Sequence, residues 1–397
     1  MKKGFTDKQK EFLNNATHRY NIKAGATRSG KTYLDYYVSP KRIRRVADKD
    51  GLVVLLGNTK GTLQRNIIEP LQKIWGTGLV SDIKSDNTAV LFGEKCYCLG
   101  ADKVSQVDKI RGSSIKYCYG DEVVTWHQDV FEMLKSRLDK EYSKFDGTCN
   151  PENPNHWLKQ FIDNEDIDVY SQHYTIDDNE FLSPVFVENL KREHFGTVFY
   201  DRYILGKWKA AEGIIYRQFA DNPERYIIDK PPEIIFATIG VDFGGNKSAH
   251  AFVCNGFTRD MREVITLDEF YLKEKISPKE LDNAFIDFVK RNKAKYPVFE
   301  AFCDSAESTL IQGFEIAVLR NNIAIDVKNA LKGNIINRIL FYITLMAHDR
   351  YKIMRHCSHT IEALSTAVWD EKKNEDKRLD DGSVNIDSLD ALEYTTD

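Results

Sequence analysis

Eight consecutive residues, Gly25-Ala26-Thr27-Arg28-Ser29-Gly30-Lys31-Thr32, carry the densest chemical signal in the chain. They fit the phosphate-loop pattern G-x-x-x-x-G-K-[ST] at every fixed position. The glycines let the backbone curl so that its N–H groups point at phosphate oxygens. Lys31 supplies a point charge for the β- and γ-phosphates, and the Thr32 hydroxyl can ligate Mg²⁺. Residues 20–24 read as a short strand before the loop, and residues 32 to about 38 as a helix start after it. Strand, loop, helix is the setting this motif needs. The chemistry implied is binding of a nucleoside triphosphate with Mg²⁺.

A second signal lies downstream. Residues 114–119 read as an apolar strand that runs directly into Asp121 and Glu122. At such a place Asp121 holds Mg²⁺ through its water shell, and Glu122 polarises the water that attacks the γ-phosphate. Arg28, inside the loop, can reach the γ-phosphate in cis. Arg111, just before the strand, can serve as an arginine finger on a neighbouring subunit, with a surface salt bridge as the competing reading. Thr148 and Asn150 close the strand expected at 143–149 and can sense the γ-phosphate. Alone, Asn150-Pro151 is a turn.

Three acidic residues of the second half are placed for metal. Asp242 and Asp304 each end an expected strand, and Asp390 lies on a C-terminal helix with Asp387 one turn earlier. Carboxylates gathered in this way can hold two Mg²⁺ ions about 3.5–4 Å apart, which suits phosphodiester cleavage. Without such ions they would repel one another. Asp387 reads as a fourth ligand, an outer-sphere group or a helix cap. Singly, Asp242 can be part of a turn and Asp304 a helix cap. The histidines lack zinc spacing and read as structural or surface residues.

The elements that must position these residues come from the hydrophobic pattern. Thr6 and Gln9 form a capping box ahead of a first helix. Residues 51–57 are an apolar run between turn signals, as expected of a buried parallel strand. Residues 63–75 read as a helix, 89–99 as a hairpin, and 128–137 as a helix. Strands alternating with helices predict a mostly parallel α/β sheet. Residues 205–235, with two glycines and three prolines, read as a connection. Strands at 234–241, 249–256 and 264–271, a helix at 278–292 and a strand at 298–303 then open a ribonuclease-H-like layout. Helices follow near 310–321, 335–349 and 359–368.

Bulk composition limits the function classes. The 397 residues allow two or three domains, and the 42% hydrophobic, 29% charged balance is that of a soluble globular protein. No apolar run of about 18 residues suggests a membrane span, and the first residues lack the apolar core of a signal peptide. Seven scattered cysteines read as reduced thiols of a cytosolic protein. The net charge of −4 is uneven: residues 1–50 carry 13 Lys/Arg against 5 Asp/Glu, and residues 370–397 carry 4 against 10. Lys41, Arg42, Arg44 and Arg45 suggest contact with a polyanion, or simply a solvated helix face.

Taken in order, the phosphate loop, Asp121-Glu122, the segment from Thr148 to Trp157, Val241-Asp242-Phe243-Gly244 and the C-terminal Asp390-Ala391-Leu392-x-Tyr394 resemble the large terminase subunit of tailed bacteriophages. The nearest type is that of phages and prophages of Gram-positive bacteria, and the resemblance covers nearly the whole chain. It implies a P-loop ATPase domain with a RecA/ASCE-like parallel sheet at 1–204, a linker at 205–232 and an RNase H-like nuclease domain at 233–397. The implied activities are ATP hydrolysis that drives double-stranded DNA into a procapsid, and endonucleolytic cutting of concatemeric DNA; little sequence preference is expected, since nothing in the chain looks like a base-reading helix or finger. Lys31, Thr32, Asp121 and Glu122 match the ATPase motifs, Thr148 to Asn150 the coupling motif, and Asp242, Asp304 and Asp390 the nuclease triad. The implied cofactors are Mg-ATP and Mg²⁺ or Mn²⁺. The implied partners are DNA, the portal protein, the small terminase subunit and further copies in a ring, a pentamer, in the host cytoplasm and away from membranes. An ATP-dependent remodeller with a non-catalytic DNA-binding C-terminal domain is the alternative. Many relatives carry His at the place of Asp387 and Arg at the place of Glu393. The first difference touches metal affinity, and the second reads as a surface change.

Overall fold

The computed structural model describes residues 4–110, 112–244, 248–373 and 375–396, without the side chains of 108 and 109. Arg111 therefore lies outside the described residues. The chain forms two compact units. One comprises 1–191 with 198–210, and the other 192–197 with 211–397.

The first unit is built on strands β1 (Tyr20–Gly25), β2 (Leu52–Gly57), β3 (Thr88–Leu91), β4 (Glu94–Gly100), β5 (Ile115–Gly120), β6 (Lys144–Cys149) and β7 (Val169–Tyr174). Their order is β3-β4-β2-β5-β6-β1-β7, parallel throughout except for the β3–β4 hairpin at one edge. Its central strands are buried on both faces, which explains their continuous apolar runs. Helices α1 (Asp7–Asn15), α2 (Lys31–Arg45), α3 (Lys60–Leu63) and α4 (Glu69–Trp75) accompany the first strands, and α5 (Gln128–Arg137), α6 (Trp157–Ile162) and α7 (Pro184–His194) follow. The Thr6–Gln9 capping box is formed at α1. Between α3 and α4, Gln64–Ile68 is a π-helical turn, so the helix expected over 63–75 is present but its register shifts within this turn.

Buried charge sits beneath the phosphate loop. Lys23 on β1 pairs with Asp35 on α2 at 2.8 Å, both almost fully buried. The Lys23 ammonium also lies 4.0 Å from the centre of the Phe12 ring. Arg42 pairs with Asp146 on β6 at 2.9 Å. This corrects one expectation: Arg42 is not part of a basic surface, whereas Lys41, Arg44 and Arg45 are exposed.

In the second unit the strands β8 (Ile227–Ile228), β9 (Phe236–Asp242), β10 (His250–Phe257), β11 (Val264–Leu272), β12 (Val298–Cys303), β13 (Asp326–Asn329) and β14 (Tyr351–Met354) form a mixed sheet. Its order is β13-β12-β9-β10-β11-β14-β8, with β9, β10 and β11 an antiparallel meander and β12 parallel to β9. The segment expected as a linker contains the short helix α8 (Arg217–Asp221) and β8, which pairs with β14. Helices α9 (Pro278–Lys293) and α10 (Ser308–Arg320) cover one face through Leu281, Phe285, Phe288 and Phe314, with Phe285 stacked on Phe314 at 4.0 Å. Helices α11 (Ile335–Ala347), α12 (Ser358–Thr366) and α13 (Asp387–Tyr394) complete the unit, and α13 packs on β9 and β10. The approach of α13 is set by Gly240, where a Cβ would stand 1.9 Å from the Ala391 carbonyl oxygen.

Candidate functional site

The phosphate loop joins the end of β1 to the start of α2, as its motif requires. A Cβ on Gly25 would stand 2.1 Å from the Tyr174 carbonyl of β7, so only glycine fits there. Gly30 caps α2 at φ 89°, a left-handed conformation that costs glycine little. Arg28 also has positive φ, and its carbonyl accepts from the Asn179 amide at 2.7 Å. The loop lines a cleft of about 830 Å³.

Lys31 is buried and holds the loop in shape. Its ammonium donates to the carbonyls of Gly25 at 2.9 Å and Ala26 at 2.6 Å, and to Asn150 Oδ1 at 3.1 Å. Burial lowers its pKa to about 8 despite the pull of Glu122. Opposite it, Asp121 and Glu122 follow β5 directly. Glu122 has φ 51°, and its Oε1 accepts from the Asn150 N–H at 2.8 Å. Burial pushes its carboxyl up to about 7, against the lowering effect of Lys31. Asp121 is raised as well, chiefly by burial, while hydrogen bonds from Asn66, Thr148 and Tyr119 oppose the shift.

Thr148 and Asn150 stand between these groups. The Thr148 hydroxyl donates to Asp121 Oδ1 at 3.3 Å and accepts from the Glu122 N–H at 3.3 Å. Asn150 touches Lys31 through its side chain and Glu122 through its backbone. Loop, acidic pair and the end of β6 thus form one hydrogen-bonded unit. Thr27, Ser29, Thr32 and Arg28 line the same cleft, with Arg28 exposed. Arg65 and Asn66 line it too, and nothing in the sequence pattern singled them out.

The second set lies in the other unit. Asp242 is the last residue of β9 and is buried. Asp304 follows β12, and its N–H donates to the Val241 carbonyl at 3.0 Å, which brings it beside Asp242. Asp387 opens α13 and accepts from the Ala249 N–H at 2.8 Å. Its carboxylate therefore does not cap α13. That part falls to Asn385, whose Oδ1 accepts from the Ser388 N–H at 3.1 Å. The Asp242 carboxyl is pushed well above its usual range, first by burial and then by the charges of Asp390, Asp387 and Asp304.

Three carboxylates thus act on Asp242, and an all-oxygen donor set suits a hard divalent ion. Among the described residues, however, no three His, Cys, Asp or Glu side chains are arranged to grip one ion. Asp304 pairs with Lys332, and Asp390 with Arg378 and, at 3.5 Å, Arg338. Glu393 corrects an expectation: it is fully buried rather than a surface residue. It accepts from the Tyr216 hydroxyl at 2.9 Å, from Arg378 at 2.8 Å, and pairs with Arg338 at 3.1 Å. His156 caps α6, and His359 stacks on Tyr271 at 4.3 Å. All seven cysteines are free and buried.

A family model described as "Terminase large subunit, T4likevirus-type, N-terminal" matches residues 23–222, half of the chain. The chain belongs to the large terminase subunits. Among solved structures, the large terminase of a thermophilic bacteriophage in one crystal form is 24% identical, with 99% of this chain and 98% of that chain covered and a TM-score of 0.83. Another crystal form of the same phage protein is 25% identical over 98% of each chain, with a TM-score of 0.78. That phage protein in complex with ATP-gamma-S is 24% identical over 98% of each chain, with a TM-score of 0.79. Curated proteins offer no match. The likeness to these structures establishes that this large terminase subunit shares their two-sheet α/β fold along its whole length. Family membership makes it a component of a DNA-packaging motor. Among its described residues no helix is long and apolar enough to cross a membrane.

Proposed function

We propose that this subunit hydrolyses ATP to drive double-stranded DNA into a procapsid and cuts concatemeric DNA with its C-terminal domain. The observation that carries the motor reading is the junction at Asn150, which ties the Lys31 ammonium to the Glu122 carboxylate across a cleft large enough for a nucleotide. In this reading Gly25 to Thr32 wrap the triphosphate, with Thr32 and Asp121 holding its Mg²⁺. Glu122 accepts the proton of the attacking water, and a pKa raised toward neutrality suits that role. Arg28 steadies the γ-phosphate from within the loop, and Arg111 is the candidate to do so on a neighbouring subunit. Thr148 and Asn150 touch both halves of the site and so are placed to pass on the loss of phosphate. The ATP-gamma-S bound to the similarly folded thermophilic-phage protein supports the nucleotide assignment.

For cutting, the β9-β10-β11 meander with β12 parallel to β9 supports an RNase H-like domain over 233–397, after an ATPase domain at 1–204 and a linker at 205–232. Asp242, Asp304 and Asp390, with Asp387 beside them, would hold Mg²⁺ or Mn²⁺, which would activate water and stabilise the leaving oxygen. The expected partners are the portal protein, the small terminase subunit and further copies in a pentameric ring, met in the host cytoplasm and at the portal vertex.

The ion pairs of Lys332, Arg338 and Arg378 favour a second reading, in which the C-terminal domain binds DNA without cutting it. The two readings separate cleanly. In the first, Asp304→Ala abolishes plasmid cleavage in Mg²⁺ or Mn²⁺ and leaves ATP hydrolysis near wild type. Cleavage that survives this substitution rules the aspartates out, and a wild-type protein that never cuts supports the second reading. Lys31→Ala tests the motor: hydrolysis equal to wild type removes it.

A further inference from the structure

The π-helical turn Gln64–Ile68 is pinned on both sides of Arg65. Gln64 Oε1 accepts from the Ile83 N–H at 3.1 Å, and its Nε2 donates to Asp82 at 3.0 Å. The Asn66 carbonyl accepts the Tyr36 hydroxyl at 2.8 Å, and Asn66 and Asp121 line the same cleft. The neighbours of Arg65 are thus fixed to the fold, Gln64 to the segment at Asp82 and Ile83 and Asn66 to Tyr36 of α2. Arg65 itself is exposed, lines that cleft beside Arg28, Lys31 and Glu122, and has no carboxylate partner among the described residues. A π-turn inserts a residue into the helical register, so it redirects one side chain without unwinding the helix, and such turns gather at functional sites.

We infer that Arg65 contacts the γ-phosphate of the bound triphosphate, as a catalytic residue supplied by the π-turn. The inference rests on the ATP-hydrolysing reading above. The lining of the cleft points to the γ end. Arg65 lines the cleft together with Asp121, which would hold the Mg²⁺ of the triphosphate. The cleft holds the loop and Glu122 on its other walls. An unpaired guanidinium with planar donors matches phosphate oxygens better than it matches water. Charge in the transition state is spread over the three equatorial oxygens and the leaving oxygen, so a cation held there lowers the barrier as well as aiding binding.

The test measures ATP hydrolysis of wild type, Lys31→Ala, Arg65→Ala and Arg65→Lys, with binding of ADP and ATP-γ-S followed by calorimetry. Arg65→Ala is expected to lower kcat by about 100-fold or more, approaching the range of cationic groups at phosphoryl transfer. It should weaken ATP-γ-S about 10-fold while ADP binding stays within about twofold, because only the analogue has the third phosphate. Arg65→Lys should recover part of the rate. A melting temperature equal to wild type shows that the exposed substitution leaves the fold intact. A kcat within about threefold of wild type, or equal weakening of both nucleotides, overturns the inference while Lys31→Ala stays inactive. Should Lys31→Ala hydrolyse as fast as wild type, the ATP reading itself fails.

Discussion

Lys31 opens α2 and Glu122 follows β5 in the first unit, and the two meet through one residue, Asn150. Its side-chain oxygen accepts from the ammonium at 3.1 Å and its backbone N–H donates to the carboxylate at 2.8 Å. The backbone contact survives any side-chain change, whereas the contact to Lys31 does not. Asn150→Ala should therefore leave nucleotide affinity within a few-fold and lower kcat by about 10- to 100-fold, the scale of a lost positioning contact. Steady-state hydrolysis with a separate binding titration checks it. A raised KM at unchanged kcat would show that Asn150 only assists binding.

The pH dependence follows from the same pair. The folded protein holds Glu122 at about 7, above its unfolded value, and Lys31 at about 8, below its unfolded value. Hydrolysis needs the first ionised and the second charged. In the free enzyme kcat/KM should rise as pH passes about 7 and fall as it passes about 8. The linked stability runs the other way for Glu122. A raised carboxyl favours the fold below its unfolded pKa, and that contribution is lost as pH rises through about 7. Glu122→Gln should be inactive yet gain melting temperature relative to wild type at about pH 8, above the folded pKa. A variant no more stable than wild type there would contradict the burial argument.

Beneath the loop, the Lys23–Asp35 pair is closed off from water. Removing one partner leaves a charge without compensation, so Lys23→Met should cost about 3–5 kcal/mol, while Lys23→Met with Asp35→Leu should recover most of it. Urea denaturation of the single and double variants measures the coupling. Equal losses in both would mean that packing on Phe12, not charge, holds Lys23.

Glu393 answers to Arg378 and Arg338 in the second unit. Placing Arg there, the residue expected in many relatives, would bring three cations together in a buried position. Glu393→Arg should destabilise this unit by about 3–5 kcal/mol. Thermal unfolding checks the figure, and an unchanged melting temperature would show that the network is dispensable.

Much of the lining of the cleft was legible in sequence because the pattern that marks it is local. Eight adjacent residues define the loop, and Asp121-Glu122 announces itself at the end of a hydrophobic strand. Strand β7 was not, since its half-polar residues pair only with β1 at the sheet edge and its place depends on distant hydrogen bonds. Arg65 was hidden for a different reason. A regular helix over 63–75 turns each residue by a fixed angle, and one π-turn changes which face every later residue takes. Glu393 misled because α13 is packed nearly all round, and its counter-charges come from Arg378 in a loop and Arg338 on another helix. No period in the local sequence carries that information. Asp242 and Asp304 stand at the expected strand ends and Asp390 on the expected helix, but the ion pairs of Asp304 and Asp390 to Lys332, Arg338 and Arg378 come from parts of the chain that share no pattern with them.

The missing side chain at Gly240 has a consequence for how lesions in this molecule should be sought. Because Ala391 rests directly on the strand, a single added methyl at residue 240 is a wedge driven under α13. It would lift Asp387 and Asp390 away from Asp242 without altering any ionisable group. A Gly240→Ala allele would thus scatter the carboxylates of the second unit and spare the cleft of the first, and screens that examine only charged positions would pass over it.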